Sequence, residues 1–206
     1  MSTKSLTQDM IRQARNFHGH MCPGLAIGIR AAEIALREMG APSPDEETVA
    51  VVETDMCGVD AIQVLTGCTF GKGNLILRDY GKRAFSFYRK SDGKGVRIVA
   101  LPVAFALPDA SQDAERRALA EKQGRDGLTE EKKQRFTELQ KDLTEKILQA
   151  PLESLFEVKT PPEEVPSRAR LHASIACDRC GEEVMATRIR QVVDKQLCIP
   201  CSQMPS

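Results

Sequence analysis

Apolar residues at positions 25, 29, 32, 36 and 39 fall on one stripe at helical spacing, which predicts a helix over residues 25–39. Pro23 suits its first turn, because the N–H that proline lacks has no intrahelical acceptor there. Gly40 and Pro42 close it, and residues 41–47 read as a loop. The β-branched run Thr-Val-Ala-Val-Val-Glu at 48–53 predicts a buried strand. A second helix follows at 59–66, with Val59, Ile62 and Leu65 on its apolar face and Gly67 closing it. Short apolar runs at 75–77, 84–88 and 96–101 read as strands. Turns at Gly81 and at Ser91-Asp92-Gly93 separate them and predict an antiparallel meander. Strand, helix and then consecutive strands indicate an α+β domain with a mixed or antiparallel sheet rather than a doubly wound one.

Beyond residue 108 the pattern becomes helical. Residues 110–123 form one predicted helix, interrupted at Gly124 and Gly127. Thr129 is placed to cap the next, whose first turn carries Glu130 and Glu131. Phe136, Leu139, Leu143 and Ile147 make a single stripe, suited to packing on the chain's own core or on a second copy of it. Pro151 ends the helix. Thr160-Pro161-Pro162 and Pro166 mark a stiff linker. The predicted organisation is a core over 1–158 with a helical extension at about 110–150, a linker over 159–170 and a small module over 171–206.

The chain has 206 residues, a formal net charge of zero and 41% hydrophobic residues, as expected of a globular protein with a packed core. The N-terminal stretch is polar, without the apolar segment of a signal peptide. No apolar run approaches the roughly 20 residues of a membrane span. The expectation is a cytoplasmic protein with no membrane partner, where clustered cysteines hold metal rather than disulfides. Charge is uneven: Lys72, Arg78, Lys82, Arg83, Arg89, Lys90, Lys94 and Arg97 face only Asp79 and Asp92. Such a run is a solvated strand face or a surface for an anionic ligand. The loop Gly67-Cys68-Thr69-Phe70-Gly71-Lys72-Gly73-Asn74 fails as a phosphate-binding loop. Three residues rather than four separate its first two glycines, and Gly73 follows Lys72 where a hydroxyl is required. Lys72 and Cys68 remain as minor cofactor-binding candidates.

The module carries Cys177-x-x-Cys180, then 17 residues, then Cys198-x-x-Cys201. This spacing predicts a closed four-thiolate zinc site, with a hairpin of residues 184–190 and 192–197 between the knuckles. About forty residues bury too little apolar surface to fold alone, so the metal supplies the folding energy. The module lacks aromatic residues, which disfavours single-stranded nucleic acid and favours docking to protein.

Three cysteines remain for the core. Cys22 and Cys57 each precede a predicted helix, where free amides and the helix dipole favour a thiolate. His18 and His20, at spacing two, could place both rings on one side of an extended segment. Cys57 and Cys68 bracket a helix whose ends lie roughly 14 Å apart, too far for direct pairing. Cys68 also suits a small buried hydrophobe. A second transition-metal site, of zinc, is expected from His18, His20, Cys22 and Cys57. Cys22, Cys57 and His20 are the catalytic candidates, and fewer than four ligands would leave an open position.

With these residues assembled, the chain resembles the FmdE family, named for a component of formylmethanofuran dehydrogenase. The resemblance rests on FHGHMCPGLAIGIRAAEIAL at 17–36, CGVDAIQVLTGCTFGKGNLILRDYGK at 57–82 and IACDRCGE at 175–182. It implies an α+β core, a C-terminal zinc finger and a homodimer. It also implies a metal- or thiol-bearing cleft at His18, His20, Cys22, Cys57 and Cys68. The family name implies an accessory or cofactor-handling role beside a molybdenum or tungsten oxidoreductase of one-carbon metabolism. The alternative is a zinc-dependent regulatory protein that binds protein or nucleic acid through its C-terminal module.

Overall fold

The computed structural model describes residues 7–42, 48–125, 127–166 and 172–204. Residues 43–47 of the loop read at 41–47, and residues 167–171 at the end of the linker and the start of the module, lie outside the described residues. The chain divides into two compact units, Met1–Arg168 and Ala169–Ser206.

In the larger unit, helix α1 (Gln8–His18) leads into α2 (Pro23–Met39), strand β1 (Thr48–Val52), α3 (Gly58–Thr66) and β2 (Leu75–Leu77). Strands β3 (Ala84–Arg89) and β4 (Gly95–Ala100) follow, then a 3-10 turn at Pro102–Phe105 and helices α4 (Ala110–Arg125), α5 (Glu130–Gln149) and α6 (Leu152–Leu155). Strand β5 (Phe156–Lys159) completes a five-stranded mixed sheet in the order β2-β1-β3-β4-β5.

The expected meander holds for β3 and β4 but not for β2. β1 lies between β2 and β3, and β2 runs parallel to it, with Ala50 opposite Leu75. The physical reason is the α3 crossover: a strand returning through a helix pairs parallel with its predecessor. β5, which the sequence pattern assigns to no element, pairs antiparallel with β4 along the far edge.

Alternation sorts the sheet faces. Ala50, Val52, Phe85, Phe87, Val96 and Ile98 point into the core. The opposite face carries Val51, Glu53, Ser86, Tyr88 and Arg97, where Arg97 pairs with Glu53 at 2.9 Å. Much of the basic run is neutralised locally in the same way. Arg78 meets Glu163, Arg89 meets Asp92, and Lys94 reaches Glu38 at 2.8 Å. The proline-rich segment also lies on this unit, with Pro161 against Gly95 so closely that a Cβ there would sit 2.9 Å from its ring.

α2 is buried on nearly every side, packed against β3, β4, α3 and α5. The α5 stripe of Leu139, Leu143 and Ile147 is fully buried, with half-buried Phe136 beside it, so this face is covered within the chain itself rather than by a second copy. Arg30 of α2 donates to the carbonyls of Leu148 (3.3 Å) and Ala150 (2.8 Å), satisfying groups that the end of α5 leaves unpaired. Thr129 occupies the N-cap position of α5 without a side-chain cap bond.

α1 is a helix that the sequence pattern does not assign. Thr7 caps it by accepting from the Met10 N–H at 3.2 Å, and Gly19 ends it at φ 90°. His18 therefore sits on the last helical turn, not on an extended segment with His20.

In the smaller unit, two hairpins replace the single one expected. β6 (Ser174–Ala176) pairs with β7 (Glu183–Met185), and β8 (Ile189–Val192) pairs with β9 (Lys195–Cys198). A 3-10 turn at Ala186–Arg188 breaks the run, and α7 (Ile199–Gln203) follows. No helix among the described residues is long and apolar enough to cross a membrane.

Candidate metal centres and the core pocket

The cross-over of α2 and α3 creates the core site. Gly28 and Gly58 let the two helices touch backbone to backbone: a Cβ on Gly28 would lie 2.2 Å from the Gly58 carbonyl oxygen. That approach brings both helix N-termini to one place. Cys22 is the N-cap of α2, and its sulfur accepts from the Leu25 N–H at 3.4 Å. Cys57 is the N-cap of α3 and makes no side-chain cap bond. Gly24 keeps the space beside them open, since its Cβ would lie 3.8 Å from the Cys57 sulfur and 3.9 Å from that of Cys22.

His18 joins the two thiols from the end of α1. A nitrogen of its ring and the two sulfurs lie within 4.8 Å of one another. Its Nδ1 is 2.6 Å from the Asp60 carboxylate, so with Asp60 ionised Nδ1 carries the proton and donates it. Nε2 is buried and has no hydrogen-bond partner among the described residues. An unpaired buried imidazole nitrogen costs free energy unless something accepts its lone pair. A metal ion does so, and carboxylate–histidine–metal is a recurrent arrangement that fixes tautomer and ring orientation. The donor set of one imidazole and two thiols fits zinc, with one position left open. Asp60, which sequence reasoning did not single out, is the orienting group. It was visible only as an acid one turn after Cys57. Asp60→Asn is expected to weaken core metal affinity by about 10- to 100-fold with the fold retained, measured by competition with a chromophoric chelator.

Burial, then the neighbouring Cys22, push the Cys57 thiol above its ordinary value. Metal binding must therefore displace a proton at neutral pH, and core metal affinity is expected to rise with pH. The sign for the metal-free protein follows from the same shift. The protonated thiol favours the folded state below the unfolded value of about 8.5, and that contribution is lost as pH rises through the higher folded value. Titrating metal affinity at several pH values checks this.

His20 is exposed and stands outside the three-atom cluster. Its ring lies 4.5 Å from that of His18, tilted by 35°, and it lines the adjoining pocket. Cys68 is fully buried elsewhere, with its thiol 3.4 Å from the Thr48 carbonyl, and burial pushes its pKa up. Lys72 donates to the Gly67 carbonyl at 3.0 Å, capping α3. Neither lines the pocket.

The pocket beside the cluster has a volume of about 320 Å³. Cys22, Cys57 and His20 share its walls with Ile27, Phe85, Phe105 and Leu143, and with the polar side chains of Arg83, Arg116 and Gln140. Arg83 belongs to the basic run noted in the sequence. Phe105, Arg116 and Gln140 carried no sequence signal, because the segment after β4, α4 and α5 bring them in from over twenty residues away along the chain.

In the smaller unit the four thiols of Cys177, Cys180, Cys198 and Cys201 have their sulfurs within 4.8 Å of one another, and those of Cys180 and Cys198 are 4.0 Å apart. A tetrahedron with Zn–S of about 2.3 Å requires sulfurs about 3.8 Å apart, so the cage fits zinc. Backbone N–H groups support it: Cys198 donates to the Cys177 sulfur at 3.3 Å and Cys201 to the Cys198 sulfur at 3.5 Å.

Comparison with known proteins agrees with both units. Residues 17–157 match the family model described as "FmdE, Molybdenum formylmethanofuran dehydrogenase operon". Residues 173–203 match the prokaryotic dksA/traR C4-type zinc finger. A protein of Archaeoglobus fulgidus, named "Probable S-adenosyl-L-methionine-binding protein", is 33% identical over 204 residues. That alignment covers 96% of this chain and 53% of the relative, so the chain spans about half of that protein's length. In fold, the chain is similar to the crystal structure of a tungsten formylmethanofuran dehydrogenase FmdE-like protein from Syntrophus aciditrophicus. The TM-score is 0.58 at 23% identity, over 98% of this chain and 97% of that one.

Proposed function

Since the chain belongs to the FmdE family, whose model covers residues 17–157, we propose that it is a metal-bearing accessory protein of a molybdenum or tungsten oxidoreductase, handling a cofactor or one-carbon ligand at its core pocket. The observation that carries this reading is the convergence of the His18 ring, whose buried Nε2 has no partner among the described residues, with the sulfurs of Cys22 and Cys57 at the wall of a cavity large enough for a small organic molecule. A zinc ion there would supply a Lewis-acid position open to a ligand donor atom. His18, Cys22 and Cys57 hold the ion, Asp60 orients His18, and His20 stands beside the opening as a group able to give or take a proton. The four-cysteine module is structural, its metal closed off from ligands.

Affinity capture of the tagged protein from its native host tests the accessory role. Recovery of molybdenum or tungsten enzyme components, reduced on Cys22→Ser/Cys57→Ser, supports it. Capture of no such component from cells that express the enzyme refutes it. A second reading draws on the zinc-finger match at 173–203: the module docks a regulatory partner. Arg188, Arg190 and Lys195 lie on or beside β8 and β9, so a nucleic-acid version predicts binding that weakens steeply with salt.

A further inference from the structure

The pocket holds two polar groups without partners among the described residues. The guanidinium of Arg83 lies 4.1 Å over the Phe105 ring. Among the described residues no carboxylate or carbonyl pairs with it. Arg116, the other cation of the pocket, is already occupied: it donates to Asp113 at 2.9 Å and to the Phe105 carbonyl at 2.8 Å. That second bond fixes the Phe105 backbone, and with it the ring beneath Arg83. On the α5 wall, the side-chain Oε1 of Gln140 is buried and has no donor. A buried amide oxygen without a donor is a standing cost, which a ligand N–H or O–H would remove.

The charge of the pocket selects the ligand. A divalent metal is balanced by two thiolates, leaving the Asp60 carboxylate beside His18 as one negative charge, and Asp113 offsets only one of Arg116 and Arg117, which both pair with it. With Arg83, which stacks on Phe105 and has no carboxylate of its own among the described residues, the cations around the pocket exceed the anions by one, so the pocket favours an anion. Its aromatic stacking partner and the neighbouring Phe85, Ile27 and Leu143 favour a flat, apolar body. We propose that this pocket binds a flat organic acid, its carboxylate on Arg83 and a separate N–H donor on Gln140. A donor atom of the same ligand would face the metal position; that contact, and the charge count with metal bound, rest on the function proposed above.

Calorimetric titration of the full-length, metal-loaded protein tests this with three probes: 4-aminobenzoate, benzoate and aniline. The expected order of affinity is 4-aminobenzoate, then benzoate, then aniline. Arg83→Ala should weaken both acids by about tenfold or more, the usual effect of removing a charged hydrogen-bond partner, and leave aniline unchanged. Arg83→Lys should recover part of that loss. Gln140→Leu should bring 4-aminobenzoate down to the level of benzoate. A melting curve on each variant establishes that it is folded.

Equal affinity of benzoate and aniline, no effect of Arg83→Ala on the acids, or no binding of any probe would overturn the proposal. Metal content of the same samples separates the two readings. Arg83-dependent binding in protein without core metal contradicts the metal reading alone. Full core metal with no Arg83 dependence contradicts the acid site alone.

Discussion

Gly28→Ala is expected to destabilise the larger unit by about 3 kcal/mol, at the upper end of what overpacking costs. The added Cβ would lie 2.2, 2.5 and 2.7 Å from the oxygen, Cα and carbonyl carbon of Gly58. These are backbone atoms of another helix, so no side-chain rotation relieves the clash and α2 must move away from α3. For a unit of this size the melting temperature should fall by roughly 6–12 °C. The same movement separates Cys22 from Cys57, so core metal should be lost as well. Gly24→Ala is the informative contrast. Its nearest contacts would be 3.3 Å to the Cys57 Cβ and 3.8 Å to the sulfur, and alanine is the better helix former by about 1 kcal/mol. That variant should keep its melting temperature within a few degrees while crowding the metal position. Calorimetry with metal analysis on both variants reads the two effects separately. Equal behaviour of the two would contradict the role given to the Gly28–Gly58 contact.

Removing zinc from the C-terminal module is expected to unfold it while leaving the larger unit folded. The buried cluster of this module consists of Cys177, Leu197, Cys198 and Cys201, with Val184 packed against it. Three of these four buried residues are metal ligands, so without zinc almost no apolar core remains. Structural zinc in small modules is worth about 10–16 kcal/mol in apparent binding, far more than this cluster provides by burial. The thiols themselves resist forming the cage without a cation. Backbone hydrogen bonds at Cys177 hold its pKa down to about 6, while the Cys198 sulfur and burial push that of Cys201 up to about 12. Zinc must therefore displace protons, and its affinity should fall as pH drops. Chelation, or Cys198→Ser, should abolish amide-exchange protection across residues 173–203 and leave that of β1, β3 and β4 intact. Protection of the module that survives complete zinc removal would contradict this.

Much of the fold was legible where local chemistry decides it. The stripe of α2, Pro23 in its first turn and Cys22 at its cap follow from residues within one helix. The four-cysteine spacing is equally local, since each knuckle is formed within four residues. What sequence could not deliver depends on contacts across the chain. β2 was readable as a strand at 75–77, but its parallel pairing is set by the α3 crossover. β5 is a four-residue strand with two apolar positions, placed just after a helix. α1 did carry readable signals in Thr7 and Gly19, but its polar sequence obscured them, and with it the position of His18. The core cluster itself was half legible. Cys22 and Cys57 announce themselves as helix caps. What joins them is the bare backbone of Gly28 against Gly58, a contact that a glycine in a sequence does not identify. Arg83, just before β3, converges with Arg116 of α4 and Gln140 of α5, and no local pattern links the three.

The measurement closest to the centre of this account is the metal content of the purified full-length protein and of Cys22→Ser/Cys57→Ser. Two metal equivalents per chain are expected in the first and one in the second, with the module's amide protection unchanged. One equivalent in both proteins, lost only when Cys177, Cys180, Cys198 or Cys201 is replaced, would contradict a metal centre in the core.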